Sequence, residues 1–295
     1  MAETSFLPAA GATARIAASL AARSGFDAAA KLRLMADGRQ VGWLPRTHAG
    51  IVRGIDIGIG AVLGPEQPLA DGSVAAALLP GRDDFDARSA ALQALARQLA
   101  DAGHVRGWRD ELFAVTAALD APAVAVVERA AARFLGLLTF ASHMNGIVDG
   151  AADDPPALWI SRRSPAKAVD PGMWDNLVAG GMPHGSDPLA TLVRECAEES
   201  GIPPELARRV QAHGMIEVLR DLPEGVQWEQ VYVYDLLLPP DFIPRNQDGE
   251  VSEHRRVELA PLLAIMSAGA MTVDATLVTL DALARRGWLD AGDHD

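Results

Sequence analysis

The segment from Asp187 to Gly201 constrains the fold most, because it predicts one short helix with both ends marked. Asp187 and Pro188 form a typical helix start, since aspartate can cap free N–H groups and proline loses no needed donor in the first turn. Gly201 supplies the matching stop. At about 100° per residue, the helix should pack along an apolar arc and present carboxylates on the neighbouring arc. The apolar arc holds Leu189, Leu192, Val193 and Cys196, and the acidic arc holds Glu195, Glu198 and Glu199.

The three glutamates stand where a helix disfavours them. Glu195 and Glu199 are a like-charge i,i+4 pair, which costs roughly 0.2–0.5 kcal/mol, and the last turn lies at the negative end of the helix dipole. A divalent cation would reverse both penalties. Hard Mg²⁺ or Mn²⁺ prefers carboxylate and carbonyl oxygens and can bridge to substrate phosphates. The alternative is a solvated helix beside Arg194, because charge runs usually form solvated faces.

Composition narrows the class of protein. With 295 residues, 49% of them hydrophobic, we expect two domains, with one large domain as the alternative. The net charge of −13 provides no basic footprint for nucleic acid or an anionic membrane. The one cysteine favours a reducing compartment, and we expect a cytoplasmic location. No basic-then-apolar leader or apolar run of spanning length is present, which disfavours export and membrane insertion.

A change in character near residues 120–122 predicts two domains. Residues 1–120 should form an accessory α+β domain and residues 121–295 the domain that carries the acidic helix. The first domain is predicted to contain a helix at residues 14–23, a hairpin around Asp37-Gly38 and a helix at about residues 84–102. In the second, we predict helices in "VVERAAARFLGL" and "TVDATLVTLDALARRGWL" and strands in "LLTFASHMNGIV", "ALWISRRS" and "QVYVYDLLLP".

The stretch "GGMPHGSDPLATLVRECAEESGI", from Gly180 to Ile202, resembles the Nudix box of Nudix (MutT-like) hydrolases. That pattern is Gly, five residues, Glu, seven residues, Arg-Glu, an aliphatic residue, any residue, Glu-Glu, any residue, Gly and an aliphatic residue. Seven positions match it, namely Gly180, Arg194, Glu195, Glu198, Glu199, Gly201 and Ile202, with Cys196 in the first aliphatic slot. The departure is Ser186 in place of the first Glu, for which Ser186 or Asp187 is expected to substitute in part.

The resemblance implies an α/β/α Nudix sandwich with a mixed sheet and a Mg²⁺- or Mn²⁺-dependent pyrophosphohydrolase. Carried over position by position, Glu198 and Glu199 would be metal ligands, and Glu195 a ligand or the group that orients or deprotonates water. The Gly180 carbonyl would add a ligand, and Arg194 would orient the carboxylates. The partner is then a small-molecule diphosphate, and a homodimer is left open.

Longer stretches are similar to the Nudix subgroup that is also found fused to thiamin pyrophosphokinase. They are "ARFLGLLTFASHMNGIV", "WISRRSPAKAVDPGMWDNLVAGGMPHG" and "YVYDLLLPPDFIPRNQDGEV". This likeness suggests thiamin diphosphate or its oxidised relatives as substrate. The alternatives are a nucleotide diphosphate of the ADP-ribose or NADH type, and a non-catalytic ligand-binding module, which Ser186 favours. A Nudix-fold isomerase is weaker, because the additional cysteine of such enzymes is not seen.

Five further residues are candidates for contacts with the reacting groups. Glu250 follows the last strong strand, where many Nudix enzymes supply another acidic ligand or base, and Glu253 is its competitor. Arg162, Arg163 and Lys167 follow a predicted strand and are candidate phosphate contacts, with exposed ion pairs as the alternative. Since strand alternation points Arg162 and Arg163 to opposite faces, at most one of them should face the site.

The remaining polar and aromatic candidates are better explained by packing. His143 and Asn145 share one strand face towards a possible pocket, but a structural histidine is the preferred interpretation. Three aromatic residues are assigned to the core or an interface rather than to stacking on a ligand, namely Trp174, Trp228 and Tyr232. Cys196 lacks a cationic setting and lies in the apolar arc, so it is not proposed as a nucleophile.

Overall fold

The computed structural model describes residues 11–58, 60–149 and 155–289. Its first unit combines helices with two small sheets. Its helices are α2 (Arg46–Gly54), α3 (Phe85–Asp101) and α4 (Arg129–Leu135), with a 3₁₀ turn at Ala28–Ala30. Helix α1 (Ala12–Arg23) precedes them in the chain but packs on the second unit. The strands are β1 (Lys31–Ala36), β2 (Arg39–Pro45), β3 (Leu63–Pro68), β4 (Val74–Leu78), β5 (Leu112–Val115) and β6 (Ala125–Glu128).

The first unit follows the local signals of its sequence. β1 and β2 pair as the predicted hairpin, and both turn residues, Asp37 and Gly38, have positive φ values of 47° and 75°. These strands lie in a four-stranded sheet of order β2-β1-β4-β3, and β5 pairs with β6. Helix α3 begins after Asp84, whose carboxylate accepts a hydrogen bond from the Ala87 N–H at 2.7 Å.

Packing of the first unit continues beyond the predicted boundary at residue 120. Its buried cluster joins Leu34 of β1 and Leu92 of α3 to Val127, Phe134 and Leu137. Residues 125–137 therefore pack with the first unit, whereas the prediction placed them in the second. The reason is that β6 pairs with β5, and its apolar side chains face the same core as α3.

The second unit is built on one large mixed sheet. Its strands are β7 (Leu138–Val148), β8 (Ala157–Arg163), β9 (Trp174–Asn176), β10 (Val178–Gly181), β11 (Gln211–Leu222), β12 (Gly225–Leu237) and β13 (Val251–Glu258). Its helices are α5 (Pro188–Ser200), α6 (Pro204–Ala207), α7 (Leu259–Ser267) and α8 (Val273–Arg285). The order is β11-β12-β7-β8-β13, with β10 also on β7 and β9 on β8. The β12–β7 pair is parallel and the others are antiparallel, so the predicted mixed sheet is confirmed.

Helices cover the mixed sheet in separate apolar layers. On α5, Leu192 and Cys196 pack with Met144, Val178 and Leu236 of the sheet. Another cluster joins helices α1, α7 and α8 to β7, β8 and β13, with Ile16, Ile147, Val257, Leu262 and Leu283 among its members. The α/β/α arrangement predicted for this domain is confirmed, and α1 contributes to it from the start of the chain. Among the described residues, no helix is long and apolar enough to cross a membrane.

Candidate active site

Helix α5 is capped at both ends by the residues that its sequence indicates. The Asp187 carboxylate accepts a hydrogen bond from the Ala190 N–H at 2.8 Å. Gly201 takes the left-handed conformation with φ of 64°, and its N–H donates to the Ala197 carbonyl at 3.2 Å. The helix therefore spans the predicted residues.

The prediction of one packed arc and one acidic arc is wrong in detail. Glu195 and Glu199 are only 7% and 5% exposed, whereas Leu189 of the predicted apolar arc is 41% exposed. At about 100° per residue, Glu199 lies between Glu195 and Leu192, and Glu198 lies on the far side of Glu195. Two of the three glutamates are thus packed towards the sheet, and Glu198 remains on the open side.

Strand β10 receives the two buried carboxylates. The Ala179 N–H donates to Glu199 Oε2 at 2.9 Å. A methyl group added at Gly180 would lie 2.2 Å from Glu195 Cδ, which is far inside contact distance. Only glycine lets the strand backbone and this carboxylate approach so closely. The Gly180 backbone and the oxygens of Glu195 and Glu199 therefore lie together.

Burial makes these two glutamates unusual acids in the metal-free protein. For Glu195, burial together with the Glu198 charge raises the pKa to about 7, against the opposing charge of Arg194. For Glu199, burial and the Glu195 charge raise the pKa to about 8. Two adjacent carboxylates in a poorly solvated position repel one another, and the neutral forms are favoured.

The oxygen donors fit a hard divalent cation, though not as one ready-made cluster. In the described part of the chain, no three His, Cys, Asp or Glu side chains are placed together to hold a metal ion. Glu195 and Glu199 meet beside Gly180, while Glu198 is held by Arg194 at 2.9 Å. The type of donor suits Mg²⁺ or Mn²⁺, and the charge of such an ion would offset the repulsion of the pair.

We expect the metal-free protein to lose stability as the pH rises from the ordinary glutamate pKa of 4.5 towards about 8. Since both pKa values are raised, the folded state keeps protons that the unfolded chain has already released, and stability falls through this window. The expected loss is several kcal/mol, because one unit of pKa shift corresponds to about 1.4 kcal/mol. Thermal unfolding in EDTA over a pH series measures it, with Glu199→Gln as comparison. An equal pH slope in both proteins would contradict the assignment, and Mn²⁺ should restore the stability at high pH.

Arg194 links the carboxylates, but neither Ser186 nor Asp187 assists it. Its guanidinium lies 2.6 Å from Glu195 and 2.9 Å from Glu198. The Ser186 hydroxyl lies 2.9 Å from the Thr191 hydroxyl instead, and Asp187 is used as the helix cap. Neither residue therefore contacts Arg194, and both join the loop to the start of the helix instead. A third carboxylate near Arg194, at 3.9 Å, belongs to Glu111 of the first unit.

Glu250 lies near the buried pair, whereas Glu253 does not. Glu250 accepts hydrogen bonds from Lys167 and, at 2.8 Å, from Arg109. Burial raises the pKa of Glu250, but the hydrogen bond and charge of Lys167 and the charge of Arg109 outweigh it, so the net pKa is lowered. Glu250, Lys167 and Glu199 line one small cavity. Glu253 is paired with Arg255 at 2.6 Å on the exposed side of β13.

The three predicted phosphate contacts separate in the fold. Arg162 is turned outwards, donates to the Gly172 carbonyl at 3.0 Å and lies over the Trp174 ring, outside the lining of the large cavity. Arg163 lines that cavity and donates to Asp175 at 2.9 Å. Lys167 also lines it, beside Glu250. The inclusion of Arg162 is corrected, because alternation along β8 sends adjacent side chains to opposite faces.

A cavity of about 540 Å³ lies where the two units meet. The second unit contributes Gly180, Gly181, Arg163 and Lys167 to its wall. The first unit contributes four arginines, namely Arg106, Arg109, Arg129 and Arg133. Sequence reasoning missed these arginines, because it treated the first unit as accessory and no local pattern indicates that they meet the acidic helix.

The other polar and aromatic candidates are explained by packing. His143 lines the cavity, yet its Nδ1 lies 2.9 Å from Asn176 Oδ1, and Asn176 in turn donates to Asn145 at 3.0 Å. Burial raises the pKa of the Cys196 thiol, which agrees with a packing role. The aromatic residues lie in or against apolar clusters, away from the large cavity: Trp174, Trp228 and Tyr232.

Comparison with known proteins finds two family models that match different parts of the chain. Residues 13–139 match the family model "Domain of unknown function (DUF4743)", and residues 145–275 match "NUDIX domain". Among curated Arabidopsis thaliana proteins, "Nudix hydrolase 24, chloroplastic" is 39% identical over 206 residues, covering 70% of this chain and 56% of that protein. "Nudix hydrolase 20, chloroplastic" is 37% identical over 203 residues, covering 68% of this chain and 54% of that protein. The chain thus spans about half the length of these relatives.

One solved structure among the matches is the NUDIX domain of Shewanella oneidensis NrtR complexed with ADP ribose. Its TM-score is 0.41 at 15% sequence identity, and the match covers 50% of this chain and 87% of that one.

Proposed function

We propose that this chain, whose residues 145–275 form a NUDIX domain, is a divalent-metal-dependent hydrolase of a diphosphate linkage in a small molecule. The observation that carries the proposal is the pair of buried, mutually repelling carboxylates, Glu195 and Glu199, against the backbone of Gly180. This arrangement costs free energy in the metal-free protein and is relieved by a hard cation. The neighbouring cavity provides space for the rest of the substrate.

The groups that would hold Mg²⁺ or Mn²⁺ are the carboxylates of Glu195 and Glu199 and the Gly180 carbonyl. Glu198 would become a further ligand if its carboxylate left Arg194 and bound the ion. When bound, such an ion neutralises diphosphate charge and lowers the pKa of a coordinated water. Arg194 keeps Glu195 in place through an ion pair of 2.6 Å and Glu198 through a charge-assisted hydrogen bond of 2.9 Å. Lys167 and Arg163 contribute positive charge to the cavity wall, where the phosphates would lie.

Glu250 is the candidate general base. Its lowered pKa keeps the carboxylate ionised at neutral pH, so it can accept a proton from the attacking water. The water oxygen forms a new bond to phosphorus as the bridging P–O bond breaks, and the departing phosphate takes the bridging oxygen. Lys167 donates a hydrogen bond to one Glu250 oxygen, and that oxygen has to be freed before it can accept the proton. A bound phosphate would give the Lys167 ammonium another anion to pair with.

As substrate we propose thiamin diphosphate or an oxidised relative, which would yield the monophosphate and phosphate. Support comes from the sequence likeness of residues 132–148, 159–185 and 232–251 to the thiamin-associated Nudix subgroup. The mixed lining of the cavity, with Phe113 and Phe134 beside several cations, suits a heterocycle attached to a diphosphate.

A panel of substrates tests both the proposed metal-dependent hydrolysis and the proposed identity of the substrate. Release of phosphate or monophosphate would be followed for thiamin diphosphate, its oxidised analogues, ADP-ribose and NADH, each with Mg²⁺, Mn²⁺ or EDTA. Faster turnover of the nucleotides would replace the thiamin assignment with a nucleotide-diphosphate hydrolase. Tight binding of any of these compounds without hydrolysis under either metal would instead indicate a non-catalytic binding module.

A further inference from the structure

The DUF4743 region reaches the active site through strand β5. The His184 N–H, in the loop before α5, donates to the Leu112 carbonyl at 2.7 Å. Next to it, the Phe113 ring packs on Gly181 so closely that an added methyl group would lie 2.8 Å from the ring. The two matched regions are therefore in direct contact beside the Nudix box.

Arg129, the first residue of α4, occupies this junction. Its backbone N–H donates to the Glu111 carbonyl at 2.8 Å, and its guanidinium donates to the Glu111 carboxylate at 2.7 Å. The guanidinium carbon lies 5.5 Å from the centre of the Phe113 ring. These contacts hold a charged group in a defined position at the cavity wall.

The same guanidinium lies close to the carboxylate pair. A methyl group at Gly181 would be 3.6 Å from Arg129 Cζ, while one at the adjacent Gly180 would be 2.2 Å from Glu195 Cδ. The Arg129 charge acts on both Glu195 and Glu250, in each case opposing the rise of the pKa that burial causes. Arg129 is thus a first-unit cation that faces the reacting centre of the second unit.

We propose that Arg129 binds a phosphate oxygen of the diphosphate, so that the DUF4743 region supplies part of the active site. This inference rests on the proposed function. The planar guanidinium offers a fork of donors that suits phosphate oxygens, and Glu111 is the only side chain in the described ranges that accepts a hydrogen bond from it. Arg163 and Lys167, which line the same cavity from the second unit, are each paired with a carboxylate as well, Asp175 and Glu250, so Arg129 would add to their positive charge.

Binding of methylenediphosphonate, a non-hydrolysable diphosphate, tests this role. Calorimetric titration of the full chain would be done in Mg²⁺ and again in EDTA, with wild type, Arg129→Gln, Arg129→Lys and a matched control. The control is Arg53→Gln, because Arg53 also belongs to the first unit and resembles Arg129 in its surroundings. The side chains of Arg53 and Arg129 are 39% and 35% exposed, and each is paired with one glutamate, at 3.0 Å for Arg53 and 2.7 Å for Arg129.

Arg129→Gln should weaken binding roughly 10-fold or more, since it removes a charged hydrogen-bond donor to the phosphate. Arg129→Lys should recover part of the affinity because it restores the charge without the fork, and Arg53→Gln should match wild type. Wild-type affinity in both Arg129 variants, with melting temperatures unchanged, would overturn the inference.

Mn²⁺ binding, followed by electron paramagnetic resonance, separates this inference from the proposed function. If wild type binds Mn²⁺ and Arg129→Gln still binds the probe normally, the role of Arg129 is wrong and the metal site stands. If wild type binds no Mn²⁺ and hydrolyses nothing, the proposed function fails. In that case the EDTA titrations still decide whether Arg129 binds the diphosphate.

Discussion

Glu199→Gln should reduce Mg²⁺-dependent diphosphate hydrolysis by roughly 100-fold or more, which exceeds the usual cost of changing a residue that only supports a metal ligand. The amide removes one negative charge from the pair while its oxygen can still accept the Ala179 N–H, now at 2.9 Å. The fold should therefore persist. Initial rates over a range of Mg²⁺ concentrations measure the effect, and a higher metal requirement should accompany the loss.

Glu205→Gln is the matched control for this change. Glu205 is an exposed carboxylate of α6, four residues after Gly201 and outside both cavities. Its removal should leave the rate unchanged. Full Mg²⁺-dependent activity in the Glu199→Gln protein would show that the buried pair does not hold the metal, even if the control behaves as expected.

Gly180→Ala should cost roughly 100-fold in activity with little change in stability, because displacement of a reacting group by about 1 Å has effects of that size. The added methyl group would lie 2.2 Å from both Cγ and Cδ of Glu195. That side chain can rotate away, so the strand survives, but the carboxylate leaves the position beside Glu199. The rate of hydrolysis and the melting temperature, measured together, separate the two effects.

Gly50→Ala provides the comparison for Gly180→Ala. Gly50 lies within helix α2, and a methyl group there would meet no atom within 4 Å. It should keep full activity and gain up to about 1 kcal/mol of stability from the better helix propensity of alanine. If Gly180→Ala also keeps full activity, close approach of Glu195 to the strand is not needed for catalysis.

Helices and hairpins whose caps or turns are formed by residues close together in the sequence were predicted well. The helix from Pro188 to Ser200 was recognisable because its caps, Asp187 and Gly201, bond to groups three or four residues away. The hairpin at Asp37-Gly38 was recognisable because the turn pair fixes the pairing of its own strands. Such local interactions are the same whatever the rest of the chain does.

Burial within the acidic helix was predicted less well. The sequence placed Glu195, Glu198 and Glu199 on one open arc, but two of them are buried against β10. Helical spacing gives the angle between side chains, not the width of the surface that covers them. Here strand β10, with glycine at positions 180 and 181, lets carboxylates enter a contact that apolar side chains usually occupy.

The sequence by itself determined the acidic helix, its caps and the type of ion that its oxygens suit, since each follows from residue types at short spacing; the mixed sheet was expected only from the resemblance to Nudix hydrolases. Only the tertiary structure decided that Glu198 stays with Arg194, that Arg162 faces away, and that the first unit brings Glu111 and Arg129 to the site. The physical reason is that these outcomes depend on which surfaces meet across long stretches of chain. Spacing within one segment carries no information about that.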